Sequence, residues 1–503
     1  MTASSSDTGV CAKPPGHDAQ KRWTLIVMCM GVLIAQVDTS VVNLMLRPIG
    51  KGLHASVSEL QWVVDAYNLA YACLLLTGGV LGDLYGRRRI FLSGILAFTI
   101  ASLACGLAPN PFLLVVARGV AGLGAAFALP VSLAIIAYVY TEPADRAKAV
   151  GIWASCNGLA LAIGPTLGGF LVNWWGWRSA FLVAVPVGVL AILGCLRFVP
   201  ESSHPEGRRF DIPGQVFAII ALGTLSFVAI HGGEVGWSMP GIYVWLLICV
   251  VAAVTFVRVE KKAGNGALLP LGLFLSPSFS AAIVVALLMT FGMYGTLFLL
   301  PLYLQVVQDL SPLTTGIALL PMSVVFFFVA RISGSLAAST GPKTVMTCGM
   351  ALMGLGLVGL SFANQAYPLW LIEGVLAVIG AGLGLNSGPV VAVAIASVPQ
   401  NRTGTASGVA NTARIIGATL GVAIAGAVFA MHAGQGSATE TVTPLRMGEI
   451  LSGLRAGFLV CAVAEWLGAL TVIVFIGQSS LGTKATTTNT RSAEPTRLAE
   501  SGE

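Results

Sequence analysis

The chain has 503 residues, 56% hydrophobic and 10% charged, with a mean hydropathy of +0.86; a soluble domain carries about 25% charged residues. That composition excludes a water-soluble globular protein, because too few polar side chains exist to cover its surface, and a bilayer is the solvent that fits. The net charge of +6 comes with no basic stripe interleaved with aromatics, which excludes a nucleic-acid partner.

In chain order, residues 1–22 are polar and lack the apolar core of a signal peptide; they read as a cytoplasmic tail. A membrane helix needs roughly 20 mostly apolar residues. Fourteen such stretches follow: 23–46, 59–81, 90–108, 112–138, 149–172, 178–198, 212–232, 241–258, 279–304, 314–338, 343–363, 367–396, 405–431 and 454–476. They divide into an N-terminal six-helix bundle (23–198), a loop (199–211), an inserted two-helix hairpin (212–258), a linker (259–278) and a C-terminal six-helix bundle (279–476), ahead of a Ser/Thr-rich tail (477–503) expected to be disordered. The fold class expected is an all-α polytopic membrane protein.

Orientation is read from the basic residues. Arg118, Arg331 and Arg414 fall within spans; if the chain starts in the cytoplasm, only Arg47, Lys51, Arg178, Arg446 and Arg455 lie outside and every other Lys and Arg lies inside. Cytoplasmic loops are the basic ones, so both termini are expected in the cytoplasm of a multi-pass cell-membrane protein. The cysteines are scattered singly with no CxxC, and no His/Cys/Asp cluster has metal-ligand spacing. No metal or cofactor is expected, and a membrane enzyme or sensor has no support.

The two halves repeat. Arg118-Gly-Val-Ala-Gly-Leu-Gly-Ala parallels Glu373-Gly-Val-Leu-Ala-Val-Ile-Gly, and Ile163-Gly-Pro-Thr-Leu-Gly parallels Ile416-Gly-Ala-Thr-Leu-Gly. Duplicated halves are a transporter signature. The pairing sets Glu373 opposite Arg118, an anion in one half against a cation in the other.

Four motifs sit in order on these spans. Gly79-Val-Leu-Gly-Asp83-Leu-Tyr-Gly86-Arg87-Arg88-Arg links spans two and three. Leu114, Arg118, Gly122, Gly124, Ala125 and Ala126 mark span four; Gly151, Gly164, Pro165, Gly168 and Gly169 mark span five; Val37-Asp38-Thr-Ser-Val-Val-Asn43 lies in span one. Together they resemble the major facilitator superfamily, in particular its fourteen-span drug:proton antiporters. The departures are Gly82 and Leu84 in the loop, Ala121 where Gln is usual, Ala160 where Gly is usual, and Pro48 one place late. The resemblance implies a major facilitator fold with two extra central helices. It also implies proton-coupled export of amphipathic, hydrophobic or cationic compounds by a monomer in contact with membrane lipids. A dedicated metabolite or antibiotic exporter, or another transporter of the superfamily, stays open beside it.

Each motif also has a physical reading. A charge at the bilayer centre costs about 2.5–3.5 kcal/mol or more unless paired, so Asp38, Asp65, Arg118 and Glu373 are candidates for proton coupling or substrate binding. The resemblance associates the fourth-span Arg with coupling and the loop Gly79, Asp83, Gly86, Arg87 and Arg88 with a latch between bundles; a plain positive-inside anchor is the simpler reading of the arginines. Gly151, Gly164, Pro165, Gly168 and Gly169 are expected to bend span five and flatten one face for close packing. Arg331 and Arg414 are candidate counter-ions for the buried acids. Asp309 is expected in solvent, Glu465 on a peripheral span, and Phe291, Met293, Tyr294, Phe298 and Tyr303 in core packing or along a greasy pocket.

Overall fold

In a bilayer every backbone amide has to find its partner within the chain, which leaves apolar runs of this length no stable form but the helix. The computed structural model describes residues 17–203, 211–235, 239–263, 269, 271–399, 402–433 and 444–477, and these are almost entirely helical. Residues 1–16 and 478–503, with parts of the loop 199–211 and the linker 259–278, lie outside that set, as do the basic residues Lys13, Arg208, Arg209, Lys484, Arg491 and Arg497.

The N-terminal segment runs through α1 (His17–Leu53), α2 (Val57–Tyr85), α3 (Arg87–Leu107), α4 (Pro111–Val139), α5 (Pro143–Trp175), α6 (Trp177–Leu182) and α7 (Ala184–Phe198). The hairpin is α8 (Ile212–Val235) and α9 (Pro240–Ala263). The C-terminal segment comprises α10 (Pro277–Leu302), which closes on a π turn at Tyr303–Val307, then α11 (Pro312–Ala318), α12 (Leu320–Thr340), α13 (Pro342–Ser361), α14 (Leu369–Ala396), α15 (Thr403–Ala433) and α16 (Pro444–Phe475). Local chemistry sets the starts. Ser56 and Glu59 form a reciprocal capping box on α2. Asn110 caps α4 ahead of Pro111, and Ser276 and Ser311 cap α10 and α11 ahead of Pro277 and Pro312.

Twelve helices are long and apolar enough to cross a membrane, and thirteen if α2, bent by 51° between Val57–Leu75 and Thr77–Tyr85, counts as one span. The expected fourteen is therefore not reached among the described residues. The missing one is the expected fifth span, 149–172: it lies in α5, where several side chains fall outside the described set. Each remaining expected span maps onto a described helix or a pair joined end to end, as α6 with α7 and α11 with α12.

Small residues set the packing, and they do so twice. On α4, a Cβ at Gly122 would lie 2.3 Å from the Tyr67 carbonyl of α2, and one at Gly124 would lie 2.6 Å from the Gly94 carbonyl of α3. On α14, Gly380 meets the Met322 carbonyl of α12 at 2.2 Å and Gly382 meets the Gly349 carbonyl of α13 at 2.5 Å in the same sense. Gly164 and Gly168 press α5 onto Ser40 and Val41 of α1, while Gly417 and Gly421 press α15 onto Leu287 and Phe291 of α10. The sequence repeat is thus a repeat of backbone crossings. In the hairpin, α8 packs on both α2 and α15, and α9 leaves Tyr243, Val244, Leu247, Val250 and Val251 exposed, as a lipid-facing helix does.

Candidate functional site

Asp38, midway along α1, and Arg118, two turns into α4, form a buried ion pair with side chains 4% and 1% exposed. Arg118 Nε also donates to the Val63 carbonyl of α2 at 3.0 Å. Its guanidinium lies over the Tyr67 ring, 4.5 Å from the centroid, and the Phe181 ring of α6 stands at 5.8 Å. Tyr67 is held by its hydroxyl donating to the Ala35 carbonyl at 3.3 Å. The fixed cation therefore has one carboxylate, one carbonyl and one aromatic face. All three come from the N-terminal segment, and water reaches none of it.

Asp65 is also fully buried, and neither carboxylate oxygen has a hydrogen-bond partner. It lies one turn from Gln61, whose amide donates to the Ala423 carbonyl of α15 at 3.2 Å, and one turn from Leu69, which faces Ile416, Thr419 and Leu420 of α15. Its face of α2 is thus the face against the C-terminal segment. Glu373 stands elsewhere: it is half-buried near the start of α14 and forms no ion pair among the described residues. The glycine crossings correct the pairing drawn from the sequence repeat. Arg118 precedes Gly122 by four residues, and the residue four before Gly380 is Leu376, fully buried. Glu373 is three residues nearer its helix end than the counterpart of Arg118.

The loop between α2 and α3 is held by its own charges. Asp83 accepts from Arg87 at 2.7 and 3.0 Å. Gly86 takes φ +106, a backbone form that side chains resist, and a Cβ there would lie 2.8 Å from the Glu201 carboxylate. Glu201, just after α7, accepts from the Arg88 amide at 3.0 Å and the Ser202 amide at 3.1 Å, and pairs with Arg89 at 3.7 Å. Arg88 donates to the Leu196 carbonyl, and the Arg87 amide to the Ser202 carbonyl at 2.8 Å. These contacts bind the loop to the end of α7, within the N-terminal segment. A Cβ at Gly79 would lie 3.9 Å from the Pro130 ring, an ordinary contact, so no close approach requires glycine there.

Contacts between the two segments gather at the opposite end. Arg47 donates to the Gln305 carbonyl and pairs with Asp309 at 3.3 Å; Gln305 donates to the Leu44 carbonyl at 2.9 Å. Asp309, expected in solvent, is 87% exposed on its side chain yet holds this cross-segment pair. The span-five glycines divide their work. Gly164 and Gly168 seat α1, whereas a Cβ at Gly169 would lie 2.5 Å from the Pro312 carbonyl of α11, and one at Gly316 would lie 2.3 Å from the Pro165 carbonyl. Gly151 faces open space. The end bearing Arg47 is thus sealed, largely backbone against backbone.

Several expectations change. Glu465, placed on the periphery by its position in the last span, is fully buried; its carboxyl lies against Gly292 of α10 and both oxygens lack partners. Arg331 is exposed and Arg414 half-buried, and neither pairs with an acid among the described residues. Phe291, Met293 and Phe298 of α10 and Tyr303 of the π turn are core residues, and Tyr294 is half-buried.

The Major Facilitator Superfamily model matches residues 28–422. The chain belongs to the major facilitator superfamily. It is accordingly a small-molecule transporter, not an enzyme, with the superfamily's fold. Among its relatives, the multidrug resistance protein Stp of Mycobacterium tuberculosis (strain ATCC 25618 / H37Rv) is 37% identical over 81% of this chain and 75% of that protein. The methylenomycin A resistance protein of Bacillus subtilis (strain 168) is 33% identical over 90% and 94%. The puromycin resistance protein pur8 of Streptomyces alboniger is 35% identical over 81% and 82%. Among solved structures, a bacterial homologue of the human lysosomal transporter Spinster, inward-facing and unoccupied, superposes with a TM-score of 0.65 at 17% identity, covering 93% of this chain and 98% of that one. A D-xylose–proton symporter gives 0.64 at 16%, covering 92% and 99%; these two likenesses concern the fold.

Proposed function

We propose that this transporter exports amphipathic, hydrophobic or cationic antimicrobial compounds from the cytoplasm in exchange for protons. Three relatives bear drug or antibiotic resistance names, which supports drug export. The observation that carries the coupling is the buried Asp38–Arg118 pair. A proton arriving at Asp38 cancels the charge that holds Arg118, and the guanidinium is left to Val63 and Tyr67. Loss of that proton restores the pair. Asp65 is the second acid of the cycle: on the α2 face against α15, it carries a proton while that seam is shut and meets substrate or solvent when it opens. Glu373, half-buried near a helix end, serves as an outlying attraction for cations. The Asp83–Arg87 loop and the span-five glycines are the two gate elements, one at each end, and Gly151, Gly164, Pro165, Gly168 and Gly169 shape the helix that swings between them.

The excess of basic residues in alternate loops supports a cytoplasmic Arg87 end and cytoplasmic termini in a cell-membrane protein; in that orientation the Arg47 end faces outward. The chain acts as a monomer. Two six-helix bundles, 23–198 and 279–476, move about the sealed end, with the hairpin 212–258 between them. Everted vesicles test the exchange. Added rhodamine 6G should release protons from energised vesicles containing the wild type and none from vesicles containing Asp38→Asn. Proton release that survives in the variant refutes coupling through Asp38.

A further inference from the structure

The 51° bend of α2 falls between Val57–Leu75 and Thr77–Tyr85, and a bend of that size has a local cause. No proline lies in α2. Gly78 and Gly79, just past the break, permit a bend without fixing its angle. The fixing contact comes from the hairpin. Gln215, buried in the first turn of α8, donates from Nε2 to the Cys73 carbonyl at 2.7 Å and accepts through Oε1 from the Thr77 hydroxyl. Cys73 precedes the break and Thr77 follows it, and in a straight helix these two residues share the backbone hydrogen bond that spans it. One side-chain amide therefore grips α2 on both sides of its bend. Asp211 holds that turn of α8 in place: its carboxylate accepts from the Gly214 amide at 2.9 Å and its carbonyl from the Gln215 amide at 3.0 Å.

By itself a buried glutamine between membrane helices is polar glue. What the two limbs of α2 carry points further. The first limb bears Asp65, and Gln61 bonded to α15. The second limb is seated on α4, where a Cβ at Gly78 would lie 2.2 Å from the Ala126 carbonyl, and it carries Asp83 of the Arg87-end loop. The angle at the break thus sets the acid at the seam against the loop. α8 itself continues to the C-terminal segment, with Ala229 and Ile230 packed on Ala423. We propose that Gln215 is a positioning residue for transport and that the inserted hairpin is a strut holding the α2 bend at its working angle. This rests on the exporter reading and gives the hairpin a task within it.

The test uses full-length protein in lipid nanodiscs, with hydrogen exchange read by mass spectrometry, and the rate of rhodamine 6G uptake into energised everted vesicles. Gln215→Met keeps the length of the side chain and removes both bonds. Loss of two buried hydrogen bonds is expected to quicken exchange over residues 78–85 about fivefold or more, with α10 and α14 unchanged. The maximal uptake rate should fall by a similar factor at an unchanged half-saturating dye concentration. Thr77→Val, which removes one bond, should show part of both effects, and Thr77→Ser, which keeps the hydroxyl, neither. Unchanged exchange in the second limb overturns the proposal, as does quickening spread equally over all helices. So does Thr77→Ser failing as Thr77→Val does, or local loosening with an unchanged maximal rate, which would leave Gln215 a packing contact. A wild type that moves no dye would sink the exporter reading alone, and the exchange pattern would then decide the strut by itself.

Discussion

Asp38→Asn is the perturbation whose cost follows most directly from the geometry. Asparagine keeps the shape of the side chain and still offers an acceptor, but leaves a guanidinium 1% exposed without a counter-charge. Removing one member of a buried pair costs about 3–5 kcal/mol. The Tyr67 face at 4.5 Å and the Val63 carbonyl remain, and a desolvated cation–π contact offsets about 1–2 kcal/mol of the loss. The net cost in this conformation is therefore about 1–4 kcal/mol, on the order of a 5- to 1,000-fold fall in its weight against competing states. Two measurements check it, the thermal unfolding midpoint of the purified protein and rhodamine 6G-driven proton release. The single variant should unfold at lower temperature and release no protons. In Asp38→Asn with Arg118→Gln no charge is left stranded, so stability should return to within about 1 kcal/mol of the wild type while coupling stays lost. An unfolding midpoint for Asp38→Asn equal to the wild type would refute the reasoning. So would a double variant whose loss equals the sum of the two singles, because the residues would then not be acting on each other.

Three further outcomes follow from the packing. Gly316→Val adds atoms where a Cβ alone would already lie 2.3 Å from the Pro165 carbonyl; overpacking of this kind costs about 1–3 kcal/mol, and cross-linking of cysteines placed at 47 and 309 should fall as the sealed end loosens. Undiminished cross-linking would show that the crossing does not hold that end shut. Glu201→Ala removes the acceptor of the Arg88 and Ser202 amides, so hydrogen exchange over Gly86–Arg89 should quicken, and unchanged exchange would mean that the clasp is idle. Glu465→Met takes two unpartnered oxygens out of the α10/α16 contact, which should stabilise the fold by about 1–3 kcal/mol; a lowered unfolding midpoint would reveal a partner for that carboxyl.

Long apolar runs and their breaks made the helices legible, since span length and cap chemistry are local. Asp38 and Arg118 were legible too, because charge within a span is rare enough to demand a reason. Their partnership was not, for the two are eighty residues apart and nothing in either segment specifies the other. Glu465 was misplaced because position in the chain stood in for position in the bundle. Gly292, the residue that makes room for its carboxyl, looked like any other small residue of a membrane helix. The Glu373 register slipped by three because residue likeness was weighed without knowing which glycines touch a neighbour. Arg47–Asp309 escaped notice because each residue, taken alone, is an ordinary charge at a membrane edge.

The hairpin has a consequence for how a lipid-dissolved compound reaches the interior. The two segments meet along two seams. Over the seam of α2 with α15 lies α8, with Ala229 and Ile230 packed on Ala423 and Trp62, and α9 lies on α8. At the seam of α5 with α11 and α12, Ile163, Phe170, Ile317, Val324 and Phe328 are exposed. An amphiphile diffusing in the membrane therefore meets a shuttered flank and an unshuttered one, and its lateral approach is one-sided.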